Sequence, residues 1–600
     1  MIRVADYIMN RIAQENVGHV FYVPGGQCVY LMDALRRCEQ LAGISVHHEQ
    51  AAAMAALSYS LYNDNMGACV VTTGCAGTNT MTGVLHAWQD SIPCIFVSGQ
   101  QNVEHTIGYT GLPLRQVGVQ EADIVALVTP ITKYAVMLKN ANDVAYELDK
   151  AFYLAKEGRK GPVWLDVPLN IQNAMVDEDS LRRYVPDNST AFEMSQEDLA
   201  YVISRLNAAE RPVILAGHGV RSADAAEELQ AFVEMNHIPV IFTRFSMDLL
   251  PYEHPFNFGI VGSAGASRYA NFIVQNADFV LCIGTRLSID TTGPAREQFA
   301  REAIKIVVDI DEVEHSKKGV AIDKLVVSDA KDCLTKLGKS NIKMTNAWWI
   351  EKCNHWKTLF PSYQLDHIQD DVININYFLD VLSSFAPDNS AFVSDAGMTG
   401  VAVPTNSKLK ASDRMIHSFA QGEMGYVLPA ALGVACICKG TVVAITGDGS
   451  VMMNLQELQT LVRNQFNVKL VINNNNGYSG VRHGQKAHFR GKSIGTDASN
   501  GIDFPDFGKV AAAFGIDYVR IEKTSEIDDK LKQVFAVKGP CICEVITDPE
   551  QFDLHNALVM YGKRKFGFRP IEDQSPFIDR ETFFEEMIVE PMETSYGKPV

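Results

Sequence analysis

The 600-residue chain carries a formal charge of -18 and is 47% hydrophobic. That apolar fraction is enough for several globular cores and excludes wholesale disorder, while the acidity argues against a nucleic-acid or anionic-membrane binder and fits a metabolic enzyme. The start lacks the cationic and apolar regions of a secretory signal, and no run approaches the ~18 apolar residues of a membrane helix. The twelve cysteines include no CxxC pair. They read as buried reduced thiols, with Cys436/Cys438 and Cys541/Cys543 in strand-like runs, and cytosolic residence is the default expectation.

In chain order, "MIRVADYIMNRIAQENVGHVFYVPGG" predicts an amphipathic helix and then a short strand. Apolar strands recur in three groups: "HVFYV", "GACVVTT", "PCIFVSG" and "GPVWLDV"; then "RPVILAG", "IPVIFT", "ADFVLCIG" and "IKIVVDID"; then "NSAFVSD", "GTVVAITGD", "VKLVINN" and "CICEVIT". Helix-length segments separate them. Strands buried on both faces and spaced by helices predict an α/β chain of three doubly wound parallel-sheet domains. Their expected bounds are 1–180, 195–340 and 365–560, with a C-terminal arm over 561–600. Two polar stretches, 175–198 and 338–372, predict linkers that wrap the surface.

The third group holds "GTVVAITGDGSVMMNLQELQTLVRNQFNVKLVINNNNGY". It reads as strand, tight turn, helix with Leu455, Leu458, Leu461 and Val462 on one face, and strand, which is one βαβ unit. Parallel strands of such a unit end at the same sheet edge, so Asp448 and the asparagines Asn473 to Asn476 come side by side. A carboxylate, an amide oxygen and a loop carbonyl form an oxygen-only site of the kind magnesium takes, completed by water and phosphate. Gly449 would let the backbone approach a phosphate and Ser450 would donate to it; a polar loop opening a turn is the plain alternative for either motif alone.

"GDGS" followed by "NNNNGY" resembles the diphosphate-binding motif of thiamine diphosphate (ThDP) enzymes. The resemblance implies that Asp448, the Asn475 side chain and the Gly477 carbonyl hold Mg²⁺, with Gly447, Gly449, Ser450 and Tyr478 lining the cofactor. "VHHEQAAAMAA" places Glu49 where the family has its activating glutamate, although a glutamate opening a helix is ordinarily there for the dipole. "QGEMGYVLPAALGVA" resembles the segment that bends the cofactor: Met424 would wedge beneath the thiazolium and the Gly422 carbonyl would accept from the 4'-amino group. A helix-packing role is the bland alternative for Met424. Gly26 and Gln27 in "YVPGGQ", and Gly397, complete the implied cofactor set, while Gln120 in "GVQEADIV" resembles a glutamine facing the reaction centre. The domain order is that of the acetolactate synthase and pyruvate oxidase group.

The family's chemistry implies a 2-oxo acid donor that loses CO₂ and then meets a proton or a second carbonyl. Sites shared between subunits imply a homodimer or homotetramer. The sequence departs from acetolactate synthases at two places. "CIGTRLSIDTTGPA" has Ser288 and Asp290 where that branch has an aspartate and an acceptor-binding arginine, and Gly484 stands where it has a tryptophan. Losing a charge-assisted hydrogen bond, worth ~1.5–3 kcal/mol, disfavours a carboxylate acceptor. The reading is therefore a decarboxylating carboligase with a bulky acceptor such as a nucleotide-linked keto sugar; the alternatives are a true acetolactate synthase and a non-oxidative decarboxylase. Arg482, His483 and Lys486 could serve a phosphorylated acceptor. FAD is left open: Gly217, Gly219, Gly262 and Arg286 stand where a flavin could lie, or the glycines close turns. The arm is read as either a lid or surface padding.

Overall fold

In the computed structural model, residues 1–186, 192–344, 346–551 and 554–599 are described. Part of the first predicted linker, 187–191, lies outside them.

Three six-stranded parallel sheets follow one another along the chain. The first sheet has the spatial order Ala42–Ser45, His19–Tyr22, Gly67–Val71, Cys94–Gln100, Val163–Pro168, Tyr134–Met137. The second runs Asn257–Ile260, Val240–Phe242, Pro212–Ala216, Phe279–Ile283, Ile304–Asp309, Lys324–Val327. The third runs Arg414–His417, Ala391–Ser394, Val442–Gly447, Val468–Asn474, Cys541–Ile546, Asp517–Ile521. The twelve predicted strands are the four inner strands of each sheet. The unpredicted ones are the edges, and their sequences show why: "AGIS" and "DYVRI" are partly exposed and lack a continuous apolar run, and "KLVV" is short and half-exposed.

The first and third domains share one core. The alanine-rich helix Glu49–Asn63 lies along helix Val427–Ala435, and a continuous apolar cluster extends from Phe96 and Trp164 through both helices to Ile542. The contact is close because side chains are small: a Cβ on Gly433 would stand 2.1 Å from the Ala55 carbonyl oxygen. Both helices begin at sheet edges where site residues were expected.

Three sequence expectations change. The predicted helix after "GDGS" is a 3-10 segment, Val451–Glu457, broken by non-helical Asn454 before helix Leu458–Asn464. The second predicted linker contains helix Ala347–Leu359, whose Trp349, Cys353 and Trp356 are fully buried; Trp356 packs on Phe272 of the middle domain. Cys436 caps the end of helix Val427–Ala435, not a strand. All twelve cysteines are free.

The C-terminal arm docks on the middle domain. Glu572 accepts from Gln275 and Arg301, and Glu586 from Lys352 and Trp356; Phe583 is buried against Phe272.

Candidate active site

The third sheet's strands all end at one edge, and their loops interlock there. Gly447 pairs in register with Asn473, so the turn after the first strand meets the asparagine run after the second. Asp448 is buried, and both its oxygens are held by backbone amides: Oδ1 accepts from Gly449 at 2.7 Å and Oδ2 from Gly477 at 2.8 Å. Burial raises its pKa to about 6, and the two amide hydrogen bonds oppose that rise. A carboxylate this enclosed favours a bound cation, which would hold it ionised.

Each asparagine has a different task. Asn473 accepts from Thr547 at 2.6 Å and Asn474 donates to Glu544 at 2.6 Å, both pinning the loop to the neighbouring strand. Asn475 donates its amide to Ser479 at 2.9 Å, and its oxygen accepts no hydrogen bond among the described residues. Asn476 takes the left-handed conformation that turns the chain, with φ 59°. One carboxylate, one free amide oxygen and the Gly477 carbonyl form an oxygen donor set that fits a magnesium ion.

Four of the predicted cofactor glycines leave room for a ligand. A Cβ at Gly26, Gly397, Gly422 or Gly447 would meet no heavy atom within 4 Å. Gly449 is different: a Cβ there would lie 2.1 Å from the Tyr478 ring, so its missing side chain serves that packing. Ser450 is also committed. Its hydroxyl donates to Asp395 at 2.5 Å and accepts from the Gly425 amide at 2.8 Å, so the expected donation to phosphate gives way to a structural bridge.

Asp395 was not read from the sequence. It is fully buried after strand Ala391–Ser394, burial raises its pKa to about 6, and it gathers Ser450, Thr446, Thr399 and the Ala396 amide. Through Ser450 it joins the loops that carry Gly397, Met424 and Asp448.

Glu49 opens its helix and accepts from Asn79 at 2.9 Å. Gln27 is bound by Thr72 at 2.9 Å. Gln120 is exposed, with φ 62°, and its carbonyl lies over Gly74. These residues and Gly26 follow the strands of the first sheet. Among the described residues, no hydrogen bond or ion pair joins them to Asp448, Asn475, Gly477, Gly422 or Met424, although Gln50 accepts from Asn454 at 3.2 Å.

The basic residues beyond the asparagines are occupied. Arg482 is buried and donates to the carbonyls of Asn475, Asn476 and Pro549, while His483 and Lys486 both face Glu550. Arg482 is therefore a scaffold for the loop, not a free anion ligand.

The middle domain borders a cavity of about 410 Å³ whose lining includes Gly217, Gly219, Thr243, Arg286 and Ser288. Gly262 is not part of that lining; its amide donates to Asn271. A Cβ on Gly217 or Gly219 would collide with Gly284 at 2.2 and 2.5 Å, so these glycines close two strand-helix turns on each other.

Three parallel α/β domains with an oxygen-lined, glycine-walled edge on the third define a nucleotide- or diphosphate-binding class of protein. Residues 2–127, 199–337 and 395–545 match, in turn, the N-terminal TPP binding, central and C-terminal TPP binding domains of thiamine pyrophosphate enzymes. The acetolactate synthase large subunit of Buchnera aphidicola is 32% identical over 542 residues, covering 88% of this chain and 91% of its own. That of Corynebacterium glutamicum is 30% identical over 537 residues (87% and 83% covered), and the isozyme 1 large subunit of Escherichia coli is 28% identical over 554 residues (91% and 94% covered). The chain belongs to the thiamine diphosphate-dependent enzyme family, on its acetolactate synthase-like branch. Among the described residues, no helix is long and apolar enough to cross a membrane.

Proposed function

We propose that the chain is a ThDP- and Mg²⁺-dependent carboligase that decarboxylates a 2-oxo acid and joins the remaining fragment to a second carbonyl. The observation that carries this reading is the buried Asp448 carboxylate, fixed by the Gly449 and Gly477 amides beside the free amide oxygen of Asn475. In this reading Asp448, Asn475 and the Gly477 carbonyl hold the metal. Gly26, Gln27, Gly397, Gly422, Gly447 and Tyr478 wall the cofactor, and Met424 supports its bend. Bound ThDP supplies carbanion chemistry for cleaving the 2-oxo acid. Glu49 holds the proton that activates the cofactor's pyrimidine, and Gln120 faces the substrate. Gly449 and Ser450 shape the turn that carries Asp448.

Acetolactate formation, with pyruvate as donor and acceptor, is the reaction the relatives' names favour. A bulky, uncharged acceptor such as a keto sugar is a second reading, supported by Gly484, where a Cβ would meet open space, and by Asp290 standing in place of the branch's arginine. Asp290 adds less repulsion than its charge suggests, because Arg244 Nη2 lies 3.5 Å away. FAD in the middle-domain cavity gains support from the cavity itself and none from Gly217, Gly219 or Gly262. A homodimer or homotetramer and cytosolic residence complete the proposal; the free cysteines support the latter.

The test supplies purified protein with ThDP, Mg²⁺ and pyruvate and follows CO₂ and carbon product together. Rapid CO₂ with stoichiometric acetolactate supports the first reading. Slow release that quickens only when a keto sugar is added supports the second, and then Asp290→Arg with Gly484→Trp should raise acetolactate output. No cofactor-dependent CO₂ with any 2-oxo acid overturns both.

A further inference from the structure

The loop over 418–425 joins strand Arg414–His417 to helix Val427–Ala435 and carries both Gly422 and Met424. Helix Met81–Gln89 and Asp90, from the first domain of the same chain, grip four of its residues. Asp90 Oδ2 accepts from the amides of Phe419 at 3.3 Å and Ala420 at 3.2 Å. The Gln421 side chain donates to Gln89. His86 Nδ1 stands 2.6 Å from Glu423 Oε1, and the other Glu423 oxygen accepts from the Ser418 hydroxyl. His86 is fully buried, and its Nε2 lies 3.1 Å from Asp90 Oδ2, an ion-pair distance without hydrogen-bond alignment.

A neutral imidazole would leave one of these carboxylates facing a lone pair; an imidazolium donates to Glu423 and places its positive charge beside Asp90. Two enclosed carboxylates with no cation between them would repel each other and stay poorly solvated. Burial pulls the His86 pKa down, but Glu423 and Asp90 outweigh it and carry it up to about 10. The other groups facing this cluster include the buried Tyr426, whose ring centre is 5.1 Å from that of His86, Arg286, which lies over Phe419 at 5.5 Å, and His417 and His218, both close enough to feel the Asp90 charge. Gly422, at the exposed tip between the gripped residues, has φ 54°, a left-handed conformation that glycine takes without strain. None of these contacts reaches Asp448, Asn475 or Gly477.

We propose that His86, as an imidazolium shared by Asp90 and Glu423, is a positioning residue that locks the loop presenting the Gly422 carbonyl and Met424. The inference rests on the cofactor reading above. It assigns the first domain a task within its own chain: fixing, through a buried ion triad, the third-domain loop against which the cofactor bends.

The experiment is a ThDP titration by calorimetry at saturating Mg²⁺, with steady-state kinetics, on wild type, His86→Gln, Glu423→Gln and the double variant. Each single variant should weaken ThDP binding about tenfold and lower kcat while the donor KM holds within about twofold. The double variant, with two neutral amides facing each other and only Asp90 left without its cation, should bind ThDP more tightly than His86→Gln alone, because the buried Glu423 charge is gone. Glu423→Gln, on the more accessible partner, carries the test where His86→Gln does not fold. ThDP binding by both singles within about twofold of wild type, or a double variant no better than His86→Gln alone, overturns the positioning role. A wild type that binds no ThDP overturns the cofactor reading instead.

Discussion

His417, which is buried, and His218, which is half-buried on the wall of the middle-domain cavity, are imidazoles of the opposite kind to His86. His417 meets the Ser394 hydroxyl at 2.9 Å, and His218 stacks on Phe245 with ring centres 4.1 Å apart. Neither pairs with a carboxylate among the described residues. Burial drives their pKa values down, to about 3 for His417 and about 4 for His218. The sign follows from linkage: an unfolded histidine takes a proton near pH 6.5 while the folded one refuses it, so the stability they contribute is present above about 6.5 and is lost as pH falls toward 4. Each should cost of order 1–2 kcal/mol by pH 5. Urea unfolding of wild type, His218→Phe and His417→Gln at pH 7.5 and 5 checks this: the pH dependence should shrink in each variant, and an unchanged slope would remove the assignment. His86 runs the other way, its contribution fully present below about 6.5 and lost as pH rises through about 10.

Secondary-structure elements carry these residues into place, and the pair of helices Glu49–Asn63 and Val427–Ala435 matters most. One begins at the proposed activating glutamate, the other three residues beyond Met424. Gly433 allows their approach, and Gly433→Val would drive methyl groups into the Ala55 carbonyl 2.1 Å from the new Cβ. Overpacking of this kind costs about 1–3 kcal/mol, so the urea midpoint should fall and cofactor affinity with it. An unaltered midpoint would show that the helices separate freely. The elements also mark what a sequence can disclose. Inner strands are legible because both faces are covered and the residues are uniformly apolar, as in "PCIFVSG". Edge strands such as Asp517–Ile521 mix charge with apolar residues, and helix Ala347–Leu359 was hidden because its buried face rests on Trp349, Cys353 and Trp356 within a polar stretch. At the site, Asp448 and Asn475 were legible because one βαβ unit fixes their relation. His86 and Glu423 were not: 337 positions separate them, and only tertiary packing makes them a pair.

At the scale of the whole molecule, no hydrogen bond or ion pair among the described residues joins the two halves of the proposed site within one chain, although the neighbours of Glu49 touch the third domain through Gln50–Asn454 and His47–Glu457. Glu49, Gly26, Gln27 and Gln120 share the first sheet's edge, while Asp448, Asn475 and Met424 share the third's. Apolar side chains stand exposed beside each half: Tyr109 at 65% and Val119 at 76% near Gln120, Phe489 at 62% and Ile494 at 77% beyond the asparagines. Clusters of this kind call for a cover, and a second copy that brings its first domain to this chain's third domain would supply it. Such an arrangement makes a quantitative prediction. Glu49→Gln and Asp448→Asn should each abolish most activity alone. In a hybrid dimer of the two, one site carries both defects and the other carries neither. Co-refolded at equal amounts, half the dimers are hybrids with one intact site of two, so about a quarter of wild-type activity should return. Sites built within single chains would give no recovery at any mixing ratio, because every site would keep its own defect.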